Sequence, residues 1–164
     1  GMGRIGRATA DRLAALGANV SWYGPRPKPD VPYPFDPDIA HLATNMDGLV
    51  LCCPGGLATR HLVNQAVINA IGPDGWLVNV ARGSVVEEDA LVEALLGKRI
   101  WGAGLDVFAH EPKVPSAFFD LDNVVLQPHQ ASATVETRDA MADLVVENLD
   151  LFFANKPLKT PVIL

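Results

Sequence analysis

Short apolar runs alternate with amphipathic stretches along most of this 164-residue chain. The apolar runs have the length of strands, and the stretches between them repeat apolar residues at the period of a helix. Such alternation implies crossover connections, which favour parallel strands with helices packed against them. The pattern therefore predicts an α/β fold with a doubly wound parallel sheet. Most of the predicted strands are apolar enough to be buried on both faces. They cover residues 18–23, 48–53, 76–80, 100–105 and 124–126.

Five amphipathic segments are predicted to be helices, on their apolar spacing and their end signals. Between the first strand and the second helix, the segment 24–38 contains six prolines in fifteen residues and is predicted to be a surface loop. The predicted helices cover residues 4–16, 38–45, 61–71, 87–96 and 134–154.

The composition excludes several classes of protein. Hydrophobic residues make up 49% of the chain, enough for a sizeable core, and the formal net charge is −6. This acidic balance argues against a nucleic-acid partner, which favours a face rich in Lys and Arg. No apolar run reaches the roughly 18 residues that cross a membrane, and no signal peptide is expected. Cys52 and Cys53 are adjacent, so a disulfide between them is geometrically poor. We predict a soluble cytoplasmic domain.

The first six residues form a G-x-G-x-x-G pattern that leads into the first predicted helix. In such a turn glycine allows close backbone approach, and the helix N-terminus offers free N–H groups to a pyrophosphate. The alternative is a glycine-rich terminus that simply precedes a helix. Tyr23 favours the functional interpretation, because it ends the next strand, where a ribose-binding residue belongs. The residues of the pattern are Gly1, Met2, Gly3, Arg4, Ile5 and Gly6.

A Rossmann-like sheet of this kind has a strand before the glycine turn, at the centre of the sheet. No strand precedes Gly1 in the sequence. Because unpaired backbone in the middle of a domain is costly, we expect residues 1–164 to be a partial dinucleotide-binding domain of a longer polypeptide. Its first strand and a separate substrate domain are then missing from this chain.

The residues after the first predicted strand bear on the choice of cofactor. Domains selective for NAD usually place Asp or Glu there to bond the ribose 2′-hydroxyl, but this position falls near Gly24, and Arg26 follows. Loss of the carboxylate removes repulsion against a 2′-phosphate, which an arginine binds through paired, charge-assisted hydrogen bonds. Alternatively, Arg26 and Lys28 only solubilise a proline-rich loop. We predict NADP as the preferred cofactor, with NAD as the alternative.

Arg82, Glu111 and His129 each follow a different predicted strand. Because ligands of parallel sheets bind beyond the carboxyl ends of the strands, we expect these side chains to share one crevice. Arg82 can bind a carboxylate, and His129 can give or take a proton near neutral pH. Glu111 can hold that imidazole in one tautomer. Taken singly, each residue also fits an ordinary loop position; together they predict a catalytic centre.

Four segments resemble the D-isomer-specific 2-hydroxyacid dehydrogenase family. They are Gly-x-Gly-Arg-Ile-Gly at 1–6, Val-Asn-Val-Ala-Arg-Gly at 78–83, Gly-Ala-Gly-Leu-Asp-Val-Phe followed by Glu-Pro at 102–112, and Pro-His-x-x-Ser at 128–132. Within the family the chain most resembles the glyoxylate/hydroxypyruvate and hydroxyphenylpyruvate reductase branch. The resemblance implies NADPH-dependent reduction of a small 2-oxo acid, such as glyoxylate or hydroxypyruvate, to the D-2-hydroxy acid by a homodimer.

The same resemblance implies a role for each residue of the motifs. Arg82 anchors the 2-oxo acid, His129 is the proton donor, and Glu111 is the partner of His129. Asp106 bonds the nicotinamide carboxamide. The other residues assigned to the cofactor are Gly1, Met2, Gly3, Arg4, Ile5, Gly6, Gly24, Arg26, Cys53, Pro54, Val80, His129 and Ser132.

Two other functions fit the same residues. A dinucleotide-sensing corepressor resembles this family and keeps a similar Arg–Glu–His set. A non-catalytic dinucleotide-binding module would bind NADPH but lack the groups that hold a substrate. Binding without turnover would favour either of them over the reductase.

Overall fold

The computed structural model describes residues 1–162, which divide into two compact units. The first unit spans Gly1–His129 and contains six strands and four α-helices. The second unit begins at Gln130 and contains one long helix.

All strands of the first unit pair in parallel, in one pair and one four-stranded sheet. Because neighbouring strands of the larger sheet follow one another in the chain and run in one direction, their carboxyl ends share one edge, where ligands of such sheets bind. The pair is β1 (Trp22–Tyr23) with β2 (Phe35–Asp36), and the sheet is, in order, β3 (Gly48–Leu51), β4 (Trp76–Asn79), β5 (Gly102–Leu105) and β6 (Val124–Leu126).

The helices of the first unit are α1 (Arg4–Ala15), α2 (Ile39–Thr44), α3 (Gln65–Ile71) and α4 (Glu88–Leu96). The Asp38 carboxylate caps α2 and the Asn64 side chain caps α3, each accepting a backbone N–H of the first turn. Glu88 and Asp89 place negative charge in the first turn of α4, where the helix dipole favours it.

Two apolar clusters hold the first unit together. The larger lies between one face of the four-stranded sheet and α2, α3 and α4, and it includes the fully buried Ile68 and Leu77. Each such side chain contributes about 1.5–3 kcal/mol through burial. The smaller cluster joins the glycine turn to β1 and the proline-rich segment through Met2, Trp22 and Val31.

The predicted parallel α/β architecture is confirmed, but four details are wrong. The first predicted strand, 18–23, is reduced to β1, and the predicted loop 24–38 contains β2, which pairs with β1. The segment 61–71 is helical only from Gln65, because Val63 forms a parallel bridge with Val86 just before the helix cap. Within the first unit, β3 and β4 alternate buried and half-buried residues, so they are not buried on both faces.

The second unit consists of α5 (Val135–Phe153) and a segment that folds back along it, and α5 confirms the helix predicted over 134–154. The Asn148 side chain accepts the backbone N–H of Lys159 and of Thr160. Across residues 1–162, no helix is long and apolar enough to cross a membrane.

Candidate active site

The glycine turn packs tightly against the segment that follows β3. A Cβ added at Gly1 would lie 2.6 Å from the backbone nitrogen of Cys53, and one at Gly6 would lie 1.9 Å from the carbonyl oxygen of Gly1. Both positions therefore exclude a larger residue. Gly3, the N-cap of α1, differs: an added Cβ would meet no described atom within 4 Å, and the first helical turn holds no acidic residue. An open glycine before a helix N-terminus fits a dinucleotide pyrophosphate.

The end of β1 lies beside the glycine turn. The Gly1 nitrogen donates a hydrogen bond of 3.0 Å to the carbonyl oxygen of Tyr23. The next residue, Gly24, is buried, and a Cβ there would approach the Trp22 ring to 3.0 Å. Arg26 is exposed two residues further on. The position after β1 thus carries no carboxylate, and the guanidinium of Arg26 belongs to the second residue after it in the chain.

Two basic side chains form polar contacts between the proline-rich segment 24–38 and the glycine turn or α1. Lys28 Nζ donates to the carbonyl oxygen of Met2 at 2.9 Å, and Arg7 Nη2 forms an ion pair of 2.7 Å with Asp30 Oδ2. Lys28 therefore has a structural contact with the glycine turn. The alternative in which it only solubilises the loop does not account for that contact.

Asn79, the last residue of β4, shapes the turn that carries Arg82. Its Oδ1 accepts the N–H of Ala81 at 3.0 Å, and its Nδ2 donates to the carbonyl oxygen of Arg82 at 3.1 Å. Asn79 is only 1% exposed, so the turn satisfies both ends of a buried amide. The backbone of the turn is thereby fixed, and Nη1 of the exposed Arg82 donates to the carbonyl oxygen of Ala81 in the same turn at 2.6 Å.

Glu111 holds His129 directly. Glu111 Oε2 lies 2.7 Å from His129 Nδ1, and Oε1 accepts the backbone N–H of Phe108 at 3.0 Å. The hydrogen bond to His129 lowers the pKa of Glu111 below its ordinary value, and so does the hydrogen bond from Phe108. The charges of His129 and then of Arg82 add smaller contributions in the same direction. His129 has a φ of 51°, a left-handed conformation that is uncommon outside glycine.

Arg82, Glu111 and His129 line one cleft of about 420 Å³ in the first unit. Gly55, which follows β3, forms part of its wall, and a Cβ there would lie 2.7 Å from Cγ of Arg82. The segment after β3 therefore contacts the glycine turn at one end and Arg82 at the other. The convergence predicted for the three side chains is thus observed, on one edge of the sheet.

Several predicted cofactor residues lie at the same edge. Asp106 directly follows β5 and is 6% exposed, and its backbone N–H donates to the carbonyl oxygen of Asn79 at 3.0 Å. Val80 follows β4 and is half-buried. In the first turn of α1, Arg4 and Ile5 are exposed. This placement fits residues that line a ligand along the strand ends.

The structure gives less support for a cofactor-binding role at the predicted positions Cys53, Pro54 and Ser132. Burial raises the pKa of the Cys53 thiol, which fits a packing residue more than a reactive one. Pro54 is exposed, and its carbonyl oxygen accepts the hydroxyl of Thr59 at 2.7 Å. Ser132 is exposed and belongs to the second unit, so its assignment stays a prediction.

Two residues that support the cleft were not singled out from the sequence. Asn79 lies inside the 78–83 motif, but the sequence assigns it no role. The signal that could have identified it is the presence of a polar residue at the end of an apolar strand. Glu88 was visible only as part of a helix start, yet its Oε2 accepts the backbone N–H of Ala109 at 2.9 Å.

The class of protein follows from two features of the first unit. A glycine turn opens a helix beside parallel strand ends, as in dinucleotide-binding α/β domains. A histidine with a carboxylate partner shares a cleft with an arginine, as in sites that move a proton on a carboxylate-bearing ligand. Residues 1–131 match the model of the D-isomer specific 2-hydroxyacid dehydrogenase NAD binding domain, and the chain belongs to this family.

Two relatives agree with this family assignment. The chain is 50% identical over 163 residues to a 2-ketogluconate reductase of Gluconobacter oxydans (strain 621H), and 50% identical over 163 residues to a hydroxyphenylpyruvate reductase of Plectranthus scutellarioides. Each alignment covers 99% of this chain, with 53% of the first relative and 52% of the second.

A solved structure also matches the fold. It is an NADPH-dependent glyoxylate/hydroxypyruvate reductase from Sinorhizobium meliloti in complex with NADP and malonate, with a TM-score of 0.96 and 46% identity. The match covers 99% of this chain and 51% of that chain. The chain thus spans about half the length of the relatives it matches.

Proposed function

We propose that the protein containing this chain uses NADPH to reduce a small 2-oxo acid, such as glyoxylate or hydroxypyruvate, to the D-2-hydroxy acid. The observation that carries the proposal is the 2.7 Å Glu111–His129 pair in the cleft that Arg82 also lines. A proton donor beside a guanidinium suits a substrate whose carboxylate adjoins its reactive carbonyl.

Arg82, Glu111 and His129 have different roles in the proposed reaction. Arg82 binds the substrate carboxylate through paired hydrogen bonds and polarises the adjacent carbonyl. Glu111 holds Nδ1 of His129, so Nε2 is the nitrogen that passes a proton to the carbonyl oxygen as it becomes a hydroxyl. When bound, the nicotinamide cofactor supplies the hydride that reduces the carbonyl carbon. Asp106 is assigned to the nicotinamide carboxamide.

NADPH is proposed over NADH because Gly24 stands where a carboxylate would repel a 2′-phosphate, and Arg26 is exposed nearby. The relative from Sinorhizobium meliloti, which is NADPH-dependent, supports the same preference. The glycine turn is assigned to the pyrophosphate, with Gly3 facing open space at the start of α1.

We also propose that this chain is the partial cofactor-binding domain of a longer, cytoplasmic, homodimeric enzyme. A cavity of about 480 Å³ is lined by β1 and β3, and within residues 1–162 neither strand pairs across it. A parallel strand in that cavity would join β1–β2 to the four-stranded sheet. The half-length match to the relatives supports a separate substrate domain elsewhere in the polypeptide.

The test is steady-state oxidation of NADPH by the complete protein with glyoxylate, hydroxypyruvate and hydroxyphenylpyruvate as substrates. Saturable turnover with at least one of them is the expected result. Tight NADPH binding without turnover of any 2-oxo acid would contradict the proposal, and would favour a non-catalytic binding module or a corepressor-like sensor.

A further inference from the structure

Two consecutive backbone amides after β5 are each held by a carboxylate. The N–H of Phe108 donates to Glu111 Oε1 at 3.0 Å, and the N–H of Ala109 donates to Glu88 Oε2 at 2.9 Å. Glu111 lies two residues beyond Ala109, whereas Glu88 comes from the first turn of α4. A contact between distant parts of the chain therefore fixes the segment that presents Glu111.

The helix that carries Glu88 is a rigid support. Ala90, Leu91, Ala94 and Leu95 of α4 are all buried in the larger apolar cluster. The same segment after β5 also meets the Arg82 turn, because a Cβ at Gly83 would lie 1.9 Å from the carbonyl carbon of Phe108. The Phe108–Ala109 peptide is thus enclosed by the Arg82 turn, by α4 and by Glu111.

We propose that Glu88 is a positioning residue for the acid–base pair, acting through the Phe108–Ala109 peptide on Glu111. This inference rests on the proposed reductase function. Loss of the Glu88 acceptor leaves the Ala109 amide without its charge-assisted hydrogen bond, so the segment 109–111 is no longer held against α4. Because Ala109 lies two residues before Glu111, a shift of this segment moves Glu111 relative to the Phe108 N–H, and the carboxylate no longer holds His129 in one orientation. The chemical step slows, while the glycine turn keeps its shape.

The experiment compares substitutions at two neighbouring carboxylates in the complete protein. Glu88→Asp keeps the charge and suits a helix start, but it withdraws the acceptor by one methylene. Glu88→Gln keeps the reach and an acceptor oxygen. Asp89→Ala is the matched control, because Asp89 is exposed and bears the same charge in the same helical turn. Each variant is assayed for kcat, KM of the 2-oxo acid and NADPH dissociation constant.

We expect Glu88→Asp to lower kcat about tenfold, since small misplacements of catalytic groups have effects of this size. Glu88→Gln and Asp89→Ala keep a kcat close to that of the wild type, and NADPH affinity is unchanged in all three. In a Glu111→Ala background, Glu88→Asp causes no further loss of kcat, because its effect passes through Glu111.

Three outcomes would overturn the inference: a wild-type kcat in Glu88→Asp, an equal loss in Asp89→Ala, or the same loss with and without Glu111. A wild-type protein without reductase activity would instead remove the proposed function on which the inference rests. The two failures are therefore distinguishable.

Discussion

Glu111 joins the imidazole of His129 to the main chain: Oε2 lies 2.7 Å from His129 Nδ1, and Oε1 accepts the N–H of Phe108 at 3.0 Å. With one oxygen fixed by backbone, the carboxylate presents the other to the imidazole in a defined direction. Nε2 remains the nitrogen for proton transfer, and the cleft lined by Arg82 is where a substrate is proposed to meet it.

The lowered pKa of Glu111 predicts a pH-dependent contribution to stability. A carboxyl group with a lower pKa in the folded protein stabilises the fold above its unfolded-state pKa and loses that contribution as the pH falls through its folded-state pKa. Glu111→Gln is therefore expected to reduce the free energy of unfolding more at about pH 7 than at about pH 3.

The expected difference is below about 1 kcal/mol, because the hydrogen-bonded Glu111–His129 pair is partly exposed to solvent. The exposed fractions of the two side chains are 45% for His129 and 37% for Glu111. Urea unfolding of wild type and variant at both pH values measures it. An effect of Glu111→Gln that is independent of pH, or larger in acid, would contradict the assigned pKa shift.

Arg26 is predicted to determine the preference for NADPH. Arg26→Ala removes an exposed guanidinium two residues after the buried Gly24. The KM of NADPH is therefore expected to rise about tenfold or more while that of NADH stays constant, as for loss of a charge-assisted contact. Arg12→Ala is the control, because Arg12 bonds to the carbonyl oxygen of Ala8 within α1. Equal affinities of the wild-type protein for NADPH and NADH would contradict the assignment.

Gly83 is predicted to admit no larger side chain. An alanine Cβ there would lie 1.9 Å from the carbonyl carbon and 2.0 Å from the oxygen of Phe108, and backbone atoms cannot move aside as a flexible side chain does. Gly83→Ala is expected to lower the free energy of unfolding by about 1–3 kcal/mol and to lower kcat. Gly3→Ala, whose Cβ meets no described atom within 4 Å, is expected to cost less than about 1 kcal/mol, because alanine is only a poorer N-cap than glycine. Equal stability of the two variants would refute the close contact at Gly83.

Periodicity was enough to predict the parallel α/β fold, because buried strands and amphipathic helices carry their pattern locally. It missed β2, since Pro34 and Pro37 flank a strand of only two residues, which is too short to show a periodic pattern. Periodicity also predicted that α3 begins at His61. The chain is not helical there: the His61 amide instead donates to the carbonyl oxygen of Ser84 in the Arg82 turn.

The candidate site likewise contains residues that the sequence predicts and residues that it does not. Arg82, Glu111 and His129 were predictable because each follows a strand, and parallel strand ends share an edge. Glu88 was not predictable, because its partner is a backbone amide 21 residues away in the chain. No pattern of residue types identifies a backbone amide as a hydrogen-bond partner. Lys28 has a comparable contact with the Met2 carbonyl.

The most direct test of the central claim is the turnover of His129→Ala in the complete protein, with His110→Ala as the control for an exposed histidine next to Glu111. Loss of a general acid typically lowers kcat by about 10²–10⁴-fold. We predict a loss in this range for NADPH-dependent reduction of glyoxylate or hydroxypyruvate by His129→Ala, with little effect on NADPH affinity and a wild-type rate for His110→Ala. Normal turnover by His129→Ala would show that another group donates the proton.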